Sequence, residues 1–187
     1  MMNYARLQQT RIPDLAPVYG GARGRTMSSR HQAYAWRALQ EAGVKTIIDL
    51  REKDKTERLP ALCEEYGMQY LHYPVDTSAE TIAQMVELFP QFCDLINAGD
   101  FYIACAMGLH RTDIALNAYW LFHAADQGLQ PPDIRGYRQE DGHTLDKLNR
   151  VLNALYAAFT ERNGVEPMSQ QTFKERKTLI VQQAKQN

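Results

Sequence analysis

Phe101-Tyr102-Ile103-Ala104-Cys105-Ala106-Met107-Gly108-Leu109-His110-Arg111-Thr112 is the stretch on which the fold turns. Its first five residues are apolar and suit a pleated, buried surface, so they predict a core strand. Ile114 to Ala125 carries helical spacing. Only Ala106 to Asp113 lie between the two. A strand that feeds a helix through so short a loop is the repeating element of an α/β protein.

The segments upstream fit the same pattern. Thr46-Ile47-Ile48-Asp49-Leu50 is a compact β-branched run, and Met68 to Tyr73, closed by Pro74, is a second predicted core strand. Val18-Tyr19 before Gly20-Gly21 predicts a short strand entering a turn. Ser28 or Ser29 is positioned to cap a helix through about Ala42, with Tyr34, Ala35, Ala38, Leu39 and Ala42 on one face and Gly43 as its stop. A short helix is expected from Leu59 to Tyr66, ending at Gly67. Ile82, Met85, Val86, Phe89, Phe92, Cys93 and Ile96 form one apolar stripe at spacings of three and four. Pro90 is expected to kink that helix without ending it, and Gly99 to close it. Further on, Leu145, Leu148, Leu152, Leu155 and Phe159 share a helical face, and Ser169 to Lys185 is a more polar helix. Strands alternating with helices predict an α/β fold, a mostly parallel central sheet flanked by helices, with extra C-terminal helices. We expect a single domain over 1–187, with a core at about 15–165 and a C-terminal helix at about 168–186. Chemistry in such sheets lies beyond the carboxyl ends of the strands, where Cys105 falls.

Composition narrows the class. The chain has 187 residues, 44% of them hydrophobic and 23% charged, which suits one domain with a sizeable core. A net charge of -1 gives no global basic field, so neither nucleic acid nor an anionic membrane is expected as a partner. Three cysteines, an odd and small number, suit a reducing compartment. Met1-Met2-Asn3-Tyr4-Ala5-Arg6 lacks the apolar run of a signal peptide, and no window approaches the roughly eighteen apolar residues of a membrane span. The expected location is the cytoplasm. His31, His72, His123 and His143 are scattered without metal-ligand spacing, so no metal or cofactor is expected.

The loop after the Phe101–Cys105 strand has the makings of an anion site. Successive N–H groups of Ala106, Met107, Gly108, Leu109 and His110 are placed to converge on an anion, and the next helix adds its N-terminal dipole. Gly108 lets the backbone turn and approach closely. Arg111 offers a fork of donors matched to two phosphate oxygens. Helix N-termini and neighbouring cations lower cysteine pKa values from near 8.5 to roughly 3.5–7.5, the condition for a thiolate nucleophile. Thr112 is placed to donate its hydroxyl to the Cys105 sulfur.

At these residues the chain resembles the cysteine-dependent protein tyrosine and dual-specificity phosphatase superfamily, whose signature is Cys, five residues, Arg, then Ser or Thr. Cys105, Gly108, Arg111 and Thr112 match it. With glycine at about 7% of residues and similar odds for the others, roughly one cysteine in two thousand matches by chance. Ile47-Ile48-Asp49-Leu50-Arg51 and Tyr73-Pro74-Val75-Asp76 extend the resemblance toward small bacterial members, over roughly residues 15 to 125. The resemblance implies a phosphate monoester hydrolase working through a phosphocysteine on Cys105, with a phosphorylated protein or small phosphate monoester as substrate. Two departures stand out: Ala104 replaces the family's usual His before the nucleophile, and the loop lacks the lysines of phosphoinositide-directed members.

The family's general acid is an Asp one helix and one strand before the nucleophile, the place that Asp76 holds; Thr77 and Glu80 also make a plausible capping box there. Asp113, inside the later helix, ranks below it. Arg51 is placed to hold substrate phosphate or brace the loop, or simply to pair with Asp49 at a strand end. Arg23 and Arg25 are expected in a mobile surface loop rather than at the pocket rim. Cys63 and Cys93 lie on apolar faces and are expected in the core. Gln139, Asp141 and His143 are within reach as a late loop. Two other classes stay open: a rhodanese-like sulfurtransferase, and a catalytically weak phosphate-binding module. Gly108 at the third loop step, Thr112 and Asp76 favour the phosphatase.

Overall fold

The computed structural model describes residues 1–10, 12–27, 33–52, 58–136 and 143–186, the last range without the side chains of residues 143, 144 and 186. The chain divides into two compact units, Met1–Pro74 with Leu88–Thr112, and Val75–Glu87 with Asp113–Asn187.

The first unit holds a sheet in the order β1-β2-β5-β3-β4. Its strands are β1 (Ala16–Val18), β2 (Gly21–Arg25), β3 (Thr46–Asp49), β4 (Gln69–His72) and β5 (Phe101–Cys105). β2, β5, β3 and β4 run parallel, and only the β1–β2 pair is antiparallel. The α/β, mostly parallel sheet read from the sequence is therefore the observed one. β5 is buried along its whole length between β2 and β3, which explains why its five residues are all apolar or small.

The N-terminal edge differs from expectation. The turn is Tyr19-Gly20, with φ of 46° and 78°, and Gly21 already pairs with Val18. Two residues with positive φ make a hairpin whose twist matches the flanking strands. Gly21 thus starts a strand, Gly21-Ala22-Arg23-Gly24-Arg25, where a surface loop was expected.

Helices α1 (Tyr4–Gln8), α2 (Ala33–Glu41) and α3 (Leu59–Glu65) cover one face of this sheet. Leu7, Trp36, Leu39, Ala42, Leu59, Leu62 and Cys63 pack there with Ala22, Ile47, Tyr102 and Ala104. The α2 stripe is rotated from the predicted one: Tyr34 is exposed, and Trp36 is buried with its indole N–H donating to the Met27 carbonyl at 3.1 Å. The larger ring wins the core position because it buries more apolar surface and still satisfies its one donor. The predicted cap residues Ser28 and Ser29, and His31, lie outside the described residues. The expected stops at Gly43, Gly67 and Gly99 all hold, each with positive φ.

α4 (Ala79–Ala98) runs through Pro90, as its stripe required. Its N-cap is Ser78, whose Oγ accepts from the Thr81 N–H at 3.2 Å, so the box expected from Thr77 and Glu80 is not the cap used. α5 (His110–Tyr119) begins four residues earlier than predicted, continues as a π-helical turn over Trp120–Ala124 and ends in a 3-10 turn at Ala125–Gln127. Arg111 and Thr112 therefore sit in a first helical turn, where backbone N–H groups have no partner within the helix.

In the second unit, α6 (His143–Asn163) buries the predicted stripe of Leu145, Leu148, Leu152, Leu155 and Phe159. α7 (Gln170–Gln186) is capped by Ser169, which accepts from the Thr172 N–H at 3.1 Å. Phe122, Tyr156, Phe159 and Phe173 bring their rings together there, Tyr156 and Phe173 with centroids 4.4 Å apart.

Candidate active site

Cys105 ends β5, and the chain turns at once: its carbonyl accepts from the Gly108 N–H at 3.2 Å and from the Thr26 N–H at 2.9 Å. The Gly108 N–H thus closes the loop on itself, although the residue was expected at the phosphate with Ala106, Met107, Leu109 and His110. Ala106, Met107 and His110 are exposed, Leu109 is half-buried and Gly108 is buried. The loop is a lip with a glycine at its root.

The sulfur is enclosed. Cys105 is 3% exposed and Thr112 fully buried, and the Thr112 hydroxyl donates to the Cys105 sulfur at 3.4 Å. Thr112 sits in the first turn of α5, directly after the loop, which places its hydroxyl within reach of the sulfur. Arg111, beside it, forms an ion pair with the Glu52 carboxylate. Both side chains remain partly exposed.

Arg23 and Arg25 are not on a mobile loop. Alternation along β2 puts them on the sheet face of Cys105, since Arg23 pairs with Ile103 and Arg25 with Cys105. Arg23 is only 2% exposed and donates to the carbonyls of Gly108 at 3.1 Å and Leu109 at 3.2 Å. Arg25 donates to the Met107 sulfur at 3.1 Å. The small–Arg–small–Arg alternation from Ala22 was a strand signal, masked by two glycines that lower strand propensity.

Of the readings open for Arg51, phosphate holding, bracing the loop or pairing with Asp49, the structure shows the pairing with Asp49. The Arg51 Nε and second terminal nitrogen donate to the two carboxylate oxygens at 3.0 and 3.1 Å, and its backbone N–H adds a third bond at 3.2 Å. Asp49 pairs in register with Ala104, so this buried ion pair lies on the opposite sheet face from Cys105. His72 meets the Arg51 carbonyl at 2.7 Å.

Asp76 belongs to the second unit and ion-pairs with Lys147 of α6 at 3.0 Å. Asp113 is fully buried, and its carboxylate accepts from the N–H groups of Arg135 at 3.1 Å and Gly136 at 2.7 Å. It anchors the segment leading to the late loop, whose Gln139 and Asp141, like the His143 side chain, lie outside the described residues.

Cys63 and Cys93 are buried, as expected, and burial pushes each thiol up to about 12, helped by Asp49 and Asp94 respectively. Neither is a nucleophile at neutral pH. Glu52 and Lys147, the partners of Arg111 and Asp76, carried no motif in the sequence and emerge only from the fold.

Residues 21–125, more than half of the chain and the stretch from β2 through the π-helical turn, match the family described as "Polymorphic toxin system, DSP-PTPase phosphatase". The chain belongs to that family. It is a cysteine-dependent phosphatase of the protein tyrosine and dual-specificity type, for which a phosphocysteine intermediate is typical. No curated protein matches the chain. Among solved structures, the phosphatase is similar to a DUF442 protein from Shewanella putrefaciens CN-32, with 18% identity, a TM-score of 0.52 and coverage of 84% of this chain and 97% of that one. TpbA of P. aeruginosa is similar at 16% identity and a TM-score of 0.49, over 76% of this chain and 88% of its own. At such identity the Shewanella likeness speaks for the fold alone.

Proposed function

We propose that the phosphatase hydrolyses phosphate monoesters on protein side chains, phosphotyrosine or phosphoserine and phosphothreonine, with Cys105 as nucleophile, Arg111 as phosphate clamp, Thr112 as hydrogen-bond donor to the sulfur and Asp76 as acid and then base. The Cys105 sulfur attacks phosphorus, forming the S–P bond as the P–O bond to the side chain breaks. Asp76 gives its proton to the departing oxygen. In the second step a water oxygen attacks phosphorus and loses its proton to Asp76. The S–P bond breaks and its electron pair returns to sulfur, where the Thr112 hydroxyl stabilises the developing charge.

The single observation that carries this reading is the Thr112 hydroxyl aimed at the Cys105 sulfur at 3.4 Å beneath the loop. A donor so placed favours a sulfur that leaves as an anion. Loop N–H groups of Ala106, Met107, Leu109 and His110 and the Arg111 fork bind the three equatorial oxygens. Arg51 acts at one remove in this scheme, holding the end of β3 through Asp49. The exposed lip of Ala106, Met107 and His110 suits a phosphorylated side chain presented by a large partner. Among the described residues no helix is long and apolar enough to cross a membrane, and the proposed site of action is the cytoplasm.

The test is turnover of phosphotyrosine and phosphoserine peptides by wild type and Cys105→Ser, with acid-quenched protein analysed for phosphate on Cys105. Phosphocysteine in wild type and no turnover in Cys105→Ser is the expected result. Thiosulfate-to-cyanide transfer without phosphate release would replace this reading by the sulfurtransferase.

A further inference from the structure

A buried arginine away from any signature motif calls for a physical reason. Arg23 sits on β2 at 2% exposure, and burying a charged side chain that deeply is costly unless hydrogen bonds offset its lost hydration. Two of its hydrogen bonds go to consecutive loop carbonyls, Gly108 at 3.1 Å and Leu109 at 3.2 Å.

Each of those carbonyls belongs to a planar trans peptide whose N–H points the opposite way. Fixing the Gly108 carbonyl therefore fixes the direction of the Leu109 N–H, and fixing the Leu109 carbonyl does the same for His110. Donation from a cation also polarises both peptides, which strengthens the N–H groups as donors on the far side. The strand register lets one side chain do both: Arg23 lies two residues before Arg25, the direct partner of Cys105, and on the same sheet face.

We infer that Arg23 is a positioning residue for the reaction: from outside the loop it aims the Leu109 and His110 N–H groups at the phosphoryl oxygens without touching substrate. This rests on the assignment of the Cys105 loop as the phosphate site. It predicts that affinity for an oxyanion is set partly by a strand that contributes no atom to the anion's shell.

The experiment compares wild type with Arg23→Lys and Arg23→Gln, measuring the vanadate inhibition constant, kcat and KM for an aryl phosphate, and thermal unfolding. Arg23→Lys keeps charge and length and carries the test if the glutamine variant does not fold. In folded variants, vanadate should bind at least about tenfold more weakly, the effect of one lost charge-assisted hydrogen bond. A fall of similar size in kcat/KM should be carried mainly by kcat, because the three phosphoryl oxygens reach the positions at which the loop N–H groups are aimed only as the group flattens in the transition state. A lower melting temperature with vanadate affinity and kcat within twofold of wild type would make Arg23 merely structural and overturn the inference. A wild type that neither binds vanadate nor turns over aryl phosphate would instead overturn the site assignment, and the role of Arg23 with it.

Discussion

Gly108 lies so close to Gly24 that a Cβ on Gly108 would fall 2.4 Å from the Gly24 carbonyl carbon and 2.6 Å from its oxygen. Two glycines, one in the loop and one in β2, bring backbone onto backbone beside the Cys105 sulfur. Gly108 also has φ of 71°, a conformation costly for an L side chain. Gly108→Ala should therefore lose about 1–3 kcal/mol of stability, the usual cost of strain at such a position, and shift the loop. Urea unfolding and aryl phosphatase assays check it; a variant with wild-type stability and turnover would mean the loop relaxes freely.

Thr112 serves the second chemical step in the scheme above, because its hydroxyl points at the sulfur that must leave. Thr112→Val removes the donor and keeps the shape. We expect dephosphorylation of the enzyme to become rate-limiting, giving a burst of nitrophenol followed by a steady rate lowered by about tenfold or more, one charge-assisted hydrogen bond's worth. Stopped-flow assays should show the burst; a uniform slowing with no burst would place Thr112 outside that step.

Asp76→Asn should lower kcat by roughly 10²–10⁴-fold if Asp76 is the acid. The loss should be larger for an alkyl phosphate than for a nitrophenyl phosphate, whose leaving group needs little protonation. If Asp76 serves only its ion pair with Lys147, at 3.0 Å on a partly exposed surface, the variant should lose at most about 1 kcal/mol of stability and treat both substrates alike. Measuring kcat for both leaving groups decides.

Asp100 gives a pH prediction. The Lys45 ammonium, 3.0 Å away, holds its carboxyl below the usual carboxylate range, with help from the Met2 N–H. A carboxylate depressed by folding adds stability above its unfolded pKa, near 3.9, and that stability disappears as pH falls through the lower folded value. Asp100 adopts φ of 56°, which Asn tolerates, so Asp100→Asn removes charge without adding strain. At pH 7 the variant should be less stable by about 0.5–1 kcal/mol, and the two unfolding free energies should converge below pH 4. A difference that stays constant down to pH 3 would show the effect is not electrostatic.

The sequence by itself determined the parallel α/β class, β3, β4 and β5, the stripes of α4 and α6, and the signature from Cys105 to Thr112. These are local properties: periodicity follows from the geometry of one element, and a loop joining a strand to a helix is contiguous in the chain. Tertiary structure decided what bridges distant segments. Arg23 meets the loop 85 residues on, and Glu52 meets Arg111 59 residues on, through side chains whose identity alone announces nothing. β2 was legible only as glycine and arginine until its pairing with β5 placed one arginine behind the loop and the other beside it. Lys147 found Asp76 through the same kind of nonlocal meeting. Hydrophobic patterning says which face of an element is buried, but partners of buried charges depend on strand order and register, which are set only when the whole sheet assembles.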